Sequence, residues 1–113
     1  MGKRTRIRED GQLTVRVEQD GEELLVRAFG DLDLSNAETL EAELGRAIDG
    51  DAPGVVLDLS EVTFIDSAGL RVLLLMARHS LRNGGRLCML RGSDPVDRAV
   101  EVGGVEGSLP LAD

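Results

Sequence analysis

Apolar and polar residues alternate along Leu13–Glu18 (LTVRVE), the period of a strand buried on one face. Asp20-Gly21 follows as a turn signal, and Leu24–Gly30 (LLVRAFG) reads as the second strand of a hairpin. The period then changes. Ala37, Leu40, Leu44, Ala47 and Ile48 recur at helical spacing, which places Glu41, Glu43 and Arg46 on the solvent side. Ser35 and Glu38 have the spacing of a capping box, in which each side chain satisfies the other's backbone N–H. The run DGDAPG after Ile48 breaks this helix.

Val55–Ser60 (VVLDLS) is almost continuously apolar, the signature of a central strand covered on both faces. A helix over about Ser67–Arg82 comes next, stopped by Asn83-Gly84-Gly85. Arg86–Leu90 reads as another central strand, with Cys88 and Met89 in the core. Ser93–Gly104 forms a short helix with Pro95 in its first turn, and Pro110 limits Leu109–Leu111 to a sheet edge. The order β-β-α-β-α-β-α, with a right-handed βαβ crossover between the central strands, predicts a small mixed α/β domain. Its central sheet is expected to have four or five strands with helices packed on it. Residues 1–10 are expected to be a basic tail, and 11–113 the domain.

Length and charge narrow the function. A chain of 113 residues has room for one core. A formal net charge of −8 repels phosphate, which argues against a nucleic-acid partner, and Phe29 and Phe64 are too few for a stacking platform. The cluster Lys3, Arg4, Arg6 and Arg8 reads as a solvated, frayed terminus. No apolar run reaches the ~18 residues of a membrane span, and the N-terminus lacks the apolar centre of a secretory signal. The single Cys88 cannot form an internal disulfide, consistent with the cytoplasm. With one His and one Cys there is no Cys/His metal cluster, and His79 reads as a helix-surface residue rather than a ligand or a triad base. No cofactor, no metal and no catalytic activity are expected.

Candidate chemistry concentrates at Phe64–Leu70 (FIDSAGL), where the apolar strand meets the helix. Asp66 and Ser67 are good N-cap residues, and Gly69 would ease a tight turn; a plain helix cap accounts for them. The functional alternative rests on position. The loop lies at the carboxyl end of a central strand, where open α/β sheets place ligands. The segment GDLDLS (Gly30–Ser35) should reach the same edge, so Asp31, Asp33, Asp66 and Ser67 could cluster. Three acids beside a hydroxyl, without His or Lys, do not make a nucleophile, but they can frame a hydroxyl that another enzyme modifies. The same acids could bind Mg²⁺, yet no general base or phosphate clamp accompanies them.

The following helix carries a stripe of Leu70, Leu73, Leu74, Ala77 and Leu81. Val72, Leu75 and Met76 lie outside it. For Val72 and Met76 a wider buried arc and an exposed surface are equally open. Leu75 points towards Arg71, Arg78 and Arg82, an apolar residue among cations that suits a protein-binding surface.

Four segments in this order and spacing resemble the STAS class of anti-sigma factor antagonists, the bacterial partner-switching proteins: GDLDLSNAETL, LDLSEVTFIDSAGLRVLL, NGGRLCML and VDRAVEVGGVEGSLPL. The resemblance runs from about Leu13 to Leu111. It implies that Ser67 is the serine phosphorylated by a cognate anti-sigma factor, an ATP-dependent protein kinase. Asp66 matches the family's preceding acid, and Asp31 and Asp33 its acidic loop. The unphosphorylated form would bind the anti-sigma factor and free the sigma factor; a separate phosphatase would restore it after modification. Asp31, Asp33, Asp66, Ala68, Gly69, Arg71, Val72 and Leu75 then form the expected partner surface on a monomer or weak dimer. Ala68 and Arg71 depart from the family pattern: Ala68 leaves Ser67 as the motif's only hydroxyl, and Arg71 replaces a Gly common in several regulators. Other members of the class are unphosphorylated binding modules in lipid-transport or stress-sensing complexes, the alternative role.

Overall fold

A computed structural model describes residues 4–112 of the protein. Strands β1 (Thr5–Asp10), β2 (Leu13–Asp20) and β3 (Glu23–Leu32) form an antiparallel meander. Helix α1 (Ala37–Asp49) leads into β4 (Gly54–Ile65), and α2 (Ser67–Arg82) into β5 (Leu87–Leu90). Helix α3 (Asp94–Gly103) and a 3₁₀ turn at Glu106–Ser108 lead into β6 (Leu111–Ala112). The six strands make one sheet in chain order, parallel from β3 to β6. The α/β class and the mixed sheet match the expectation, with six strands in place of four or five.

The added strand is β1, so Thr5–Asp10 belong to the sheet rather than to the frayed basic tail expected over residues 1–10. Thr5–Asp10 pair with Glu18–Leu13, and Lys3 lies outside the described residues. Hydrophobic periodicity could not reveal β1 because it is an edge strand and almost wholly solvent-exposed. Its fastening is ionic. Arg6 and Arg8 share a face with Val17 and Val15 and reach Glu43 of α1 at 3.3 and 3.2 Å. Glu43, assigned to the solvent side, is only 2% exposed. Thr39 adds a hydrogen bond to Asp10 at 2.7 Å.

Residues in register across the sheet share a face, so Val26, Leu57 and Met89 form a continuous buried row. Leu40 and Leu44 of α1, Leu73 and Ala77 of α2, and Val96 and Val100 of α3 belong to the same core. The opposite face carries Arg27 against Asp58 at 3.6 Å, and Arg16 sits 5.1 Å from the Phe29 ring centre. The apolar run of β4 is therefore fully covered on one face, not two. Cys88 stands on the other face beside Val56, half-buried, while Met89 is core as expected.

Helix α2 is rotated from the expected stripe. Its buried residues are Gly69, Val72, Leu73, Met76, Ala77 and Ser80, while Leu81 is exposed. The reason is close approach. A Cβ on Gly69 would stand 2.8 Å from Ile65 Cγ1 and 2.9 Å from both Leu32 Cγ and the Leu32 carbonyl oxygen. Small residues, Gly69, Ala77 and Ser80, share the buried face with Val72, Leu73 and Met76, and buried Ser80 is satisfied by accepting the Leu87 N–H at 3.2 Å. Counting leucines alone turns the helix the wrong way.

The brief closing strand is β6, Leu111–Ala112, which pairs with β5 just beyond Pro110.

Candidate functional site

The β4–α2 junction is built by Asp66. Its backbone is extended (φ −107°, ψ −173°), and its Oδ1 accepts the Gly69 N–H at 3.0 Å, an N-cap bond. Its Oδ2 accepts a different donor, the Leu34 N–H, at 3.1 Å. The Asp66 N–H in turn donates to the Leu32 carbonyl at 3.2 Å. Thr63 donates its hydroxyl to Asp31 Oδ1 at 2.8 Å. These bonds stitch the β3–α1 loop to the β4–α2 junction, so the two segments expected to meet do share one rim.

The β3–α1 loop has its own scaffold. The expected capping box does not form: Ser35 donates its hydroxyl backwards to Asp33 Oδ1 at 2.6 Å, and Asp33 Oδ1 also accepts the Ser35 N–H at 2.9 Å. The residue at the N-cap of α1 is Asn36, 2% exposed, whose side chain also turns backwards. Asn36 Oδ1 accepts the Asp33 N–H at 3.0 Å, and its Nδ2 donates to the Asp31 carbonyl at 2.9 Å. The sequence reading missed Asn36, although an Asn directly before a helical period is itself a cap signal. It also missed Leu34, which this turn leaves 80% exposed at the rim.

Ser67 is the first residue of α2 and is exposed. No side chain or backbone group among the described residues holds its hydroxyl. It sits where the unpaired N–H groups and dipole of a helix start favour negative charge. Ala68 is half-buried and Arg71 exposed beside it. Two expected surface residues are placed differently. Val72 is 5% exposed and packs in the core, a consequence of the rotation forced at Gly69. Leu75 is half-buried against that core, while Arg71, Arg78 and Arg82 are exposed. Gly69 is buried, and close packing rather than a tight turn explains it.

Each acid at the rim is committed to its own hydrogen bonds, and among the described residues no three acidic, His or Cys side chains are grouped as a metal site. His79 lies on the outer side of α2, 2.6 Å from Asp49. No helix of the described residues is long and apolar enough to cross a membrane. The rim can present a hydroxyl and acids to another macromolecule.

Comparison with known proteins agrees. The STAS domain model matches residues 14–113. BtrV of Bordetella bronchiseptica, provisionally described as an anti-sigma factor antagonist, is 39% identical over 83 residues, covering 74% of this chain and 72% of its own. The crystal structure of an anti-sigma factor antagonist from Mycobacterium paratuberculosis superposes with a TM-score of 0.78 at 25% identity, covering 88% of this chain and 84% of that one. The anti-sigma factor antagonist SpoIIAA in its unphosphorylated form superposes at 0.69, also at 25% identity, with 88% of each chain covered. The chain belongs to the STAS domain family, and its relatives there include anti-sigma factor antagonists.

Proposed function

We propose that this protein is a cytoplasmic anti-sigma factor antagonist, a non-enzymatic regulator that binds an anti-sigma factor and so releases a sigma factor. Phosphorylation of Ser67 by that anti-sigma factor, acting as an ATP-dependent serine kinase, ends the binding, and a phosphatase restores it. The observation that carries this reading is the exposed, unengaged Ser67 hydroxyl at the first position of α2, beside a rim that bears Asp31, Asp33 and Asp66. That SpoIIAA is described in an unphosphorylated form supports a phosphorylation switch in such proteins.

The chemistry is consistent. The Ser67 oxygen would attack the γ-phosphorus of ATP, the bond to the bridging β,γ-oxygen would break, ADP would leave, and a base on the kinase would take the hydroxyl proton. The added phosphate carries roughly −1.5 to −2 charges, at a helix start that tolerates anions. Against a partner carboxylate about 6 Å away, an effective dielectric of about 20 gives about 3 kcal/mol of repulsion per unit charge pair. Half of that weakens binding about tenfold. Partner residues would meet Asp31, Asp33, Ala68, Arg71 and the outer edge of Leu75; Asp66 and Gly69 set the geometry behind them. Incubation with the cognate anti-sigma factor and ATP, followed by peptide mass spectrometry, tests the assignment. One phosphate on Ser67 is expected; a phosphate elsewhere, or none, refutes it.

A further inference from the structure

Strand β4 outruns its neighbour. Its pairing with β5 ends at Asp58↔Leu90, while β3 stays in register with it as far as Leu32↔Ile65. Beyond Asp58 the side of β4 away from β3 has no strand beside it among the described residues. Helix α3 lies there instead, and Ser93 at its cap donates its hydroxyl to the Val62 carbonyl. Past that bond a groove opens, with Thr63, Phe64 and Ile65 on one wall and Asp94, Pro95, Arg98 and Val102 on the other. Two large apolar side chains on its walls are displayed to solvent, Phe64 at 48% and Val102 at 83% exposure. Arg98 is exposed and makes no ion pair among the described residues.

A strand edge facing a helix across an apolar groove is the arrangement that accepts an extended peptide as an added strand. Main-chain hydrogen bonds supply affinity, and side-chain pockets supply selectivity. The groove carries charge of both signs, with Asp94 and Arg98 one helical turn apart, and Arg98 is the side chain able to pair with an acid. Its position joins it to the Ser67 rim: Thr63 donates to Asp31, and Ile65 runs directly into Asp66 and Ser67. We propose that this groove is a second contact for the anti-sigma factor: an extended segment of that partner lies along Thr63–Ile65. An apolar side chain of the segment fills the space between Phe64 and Val102, and a carboxylate pairs with Arg98. The inference rests on the reading of the protein as an anti-sigma factor antagonist.

The test is calorimetric titration of the full chain and its Val102→Asp and Arg98→Glu variants with the cognate anti-sigma factor, with Ser67→Asp in parallel. Both groove side chains are exposed, so thermal midpoints should stay at the wild-type value. Each groove variant is expected to bind at least tenfold more weakly, and hydrogen exchange at Thr63–Ile65 to slow in the wild-type complex. Wild-type affinity in both groove variants, with no added protection of these amides, overturns the groove. If only Ser67→Asp loses affinity, the switch stands and the groove falls. If the groove variants alone lose affinity, the groove stands and the switch falls. A wild-type chain that does not bind the anti-sigma factor removes both.

Discussion

Asp66 accepts the backbone N–H of Leu34 at 3.1 Å, thirty-two residues away in the chain, with the oxygen it does not use to cap α2. Leu34 is 80% exposed, so this bond is not a by-product of burying its side chain. It holds a solvent-facing turn at the position where the hydroxyl-bearing helix begins. One carboxylate thus fixes both halves of the rim.

Removing that carboxylate should loosen both. Asp66→Ala is expected to cost about 1–2 kcal/mol, from a lost cap and a lost tie between loops. The local signature is more telling than the total. Hydrogen exchange should speed up at Leu34 and Gly69 while β2 and β3 stay protected; uniform acceleration, or none at Leu34, would contradict the tie.

Substitution at Ser67 should separate binding from folding. Ser67→Asp places a negative charge at a helix start, where it is worth up to about 1 kcal/mol of stabilisation. The thermal midpoint is therefore expected to hold or rise slightly. Binding to the anti-sigma factor should fall about tenfold, by the repulsion argued above. Ser67→Ala should bind constitutively and take up no phosphate. A large loss of stability in Ser67→Asp would show that the hydroxyl is structural.

Gly69→Ala is a test of the packing beneath the rim. In an exposed helix this change stabilises by about 1 kcal/mol. Here the new methyl would meet Ile65 Cγ1 at 2.8 Å and the Leu32 carbonyl oxygen at 2.9 Å, and backbone cannot yield as a flexible side chain can. Overpacking of this kind costs about 1–3 kcal/mol, so the net effect should be a lower urea midpoint. A gain would mean that α2 lifts off the sheet without penalty.

The same glycine shows how far the sequence could be read. Alternation at Leu13–Glu18 and the helical period from Ala37 to Ile48 disclosed the hairpin and α1, because each buries one face and the period states which. The junction of β4 with α2, and its meeting with the GDLDLS loop, was legible from strand order. The face of α2 was not, because close approach at Gly69 turns the helix so that it buries Val72, Met76 and Ser80 beside Leu73 and Ala77, where Leu70, Leu74 and Leu81 were expected. Asn36 and Leu34 were hidden for another reason: their roles are hydrogen bonds fixed by the loop's path, which no spacing rule encodes. Strand β1 escaped because pairing and charge, rather than an apolar face, hold it in place.

That charge makes β1 testable. Glu43 is buried, yet its two partners from β1 are about half-exposed: Arg6 at 3.3 Å and Arg8 at 3.2 Å, with side-chain exposures of 46% and 48%. Arg46, farther off at 3.8 Å, is the remaining cation. Either β1 arginine alone can keep the carboxylate paired, so Arg6→Ala and Arg8→Ala should each cost about 0.5 kcal/mol, as exposed pairs do. The double variant leaves a buried charge with one distant partner. It should cost about 2 kcal/mol, below the 3–5 of a fully buried pair broken on one side because water reaches the site. That exceeds the sum of the single changes, the sign of a shared partner. Raising the salt to 1 M should weaken the exposed arms of the cluster and narrow the gap between wild type and double variant. Urea unfolding at both salt concentrations measures this directly. Additive single effects, or a gap indifferent to salt, would show that backbone pairing with β2 alone secures the strand.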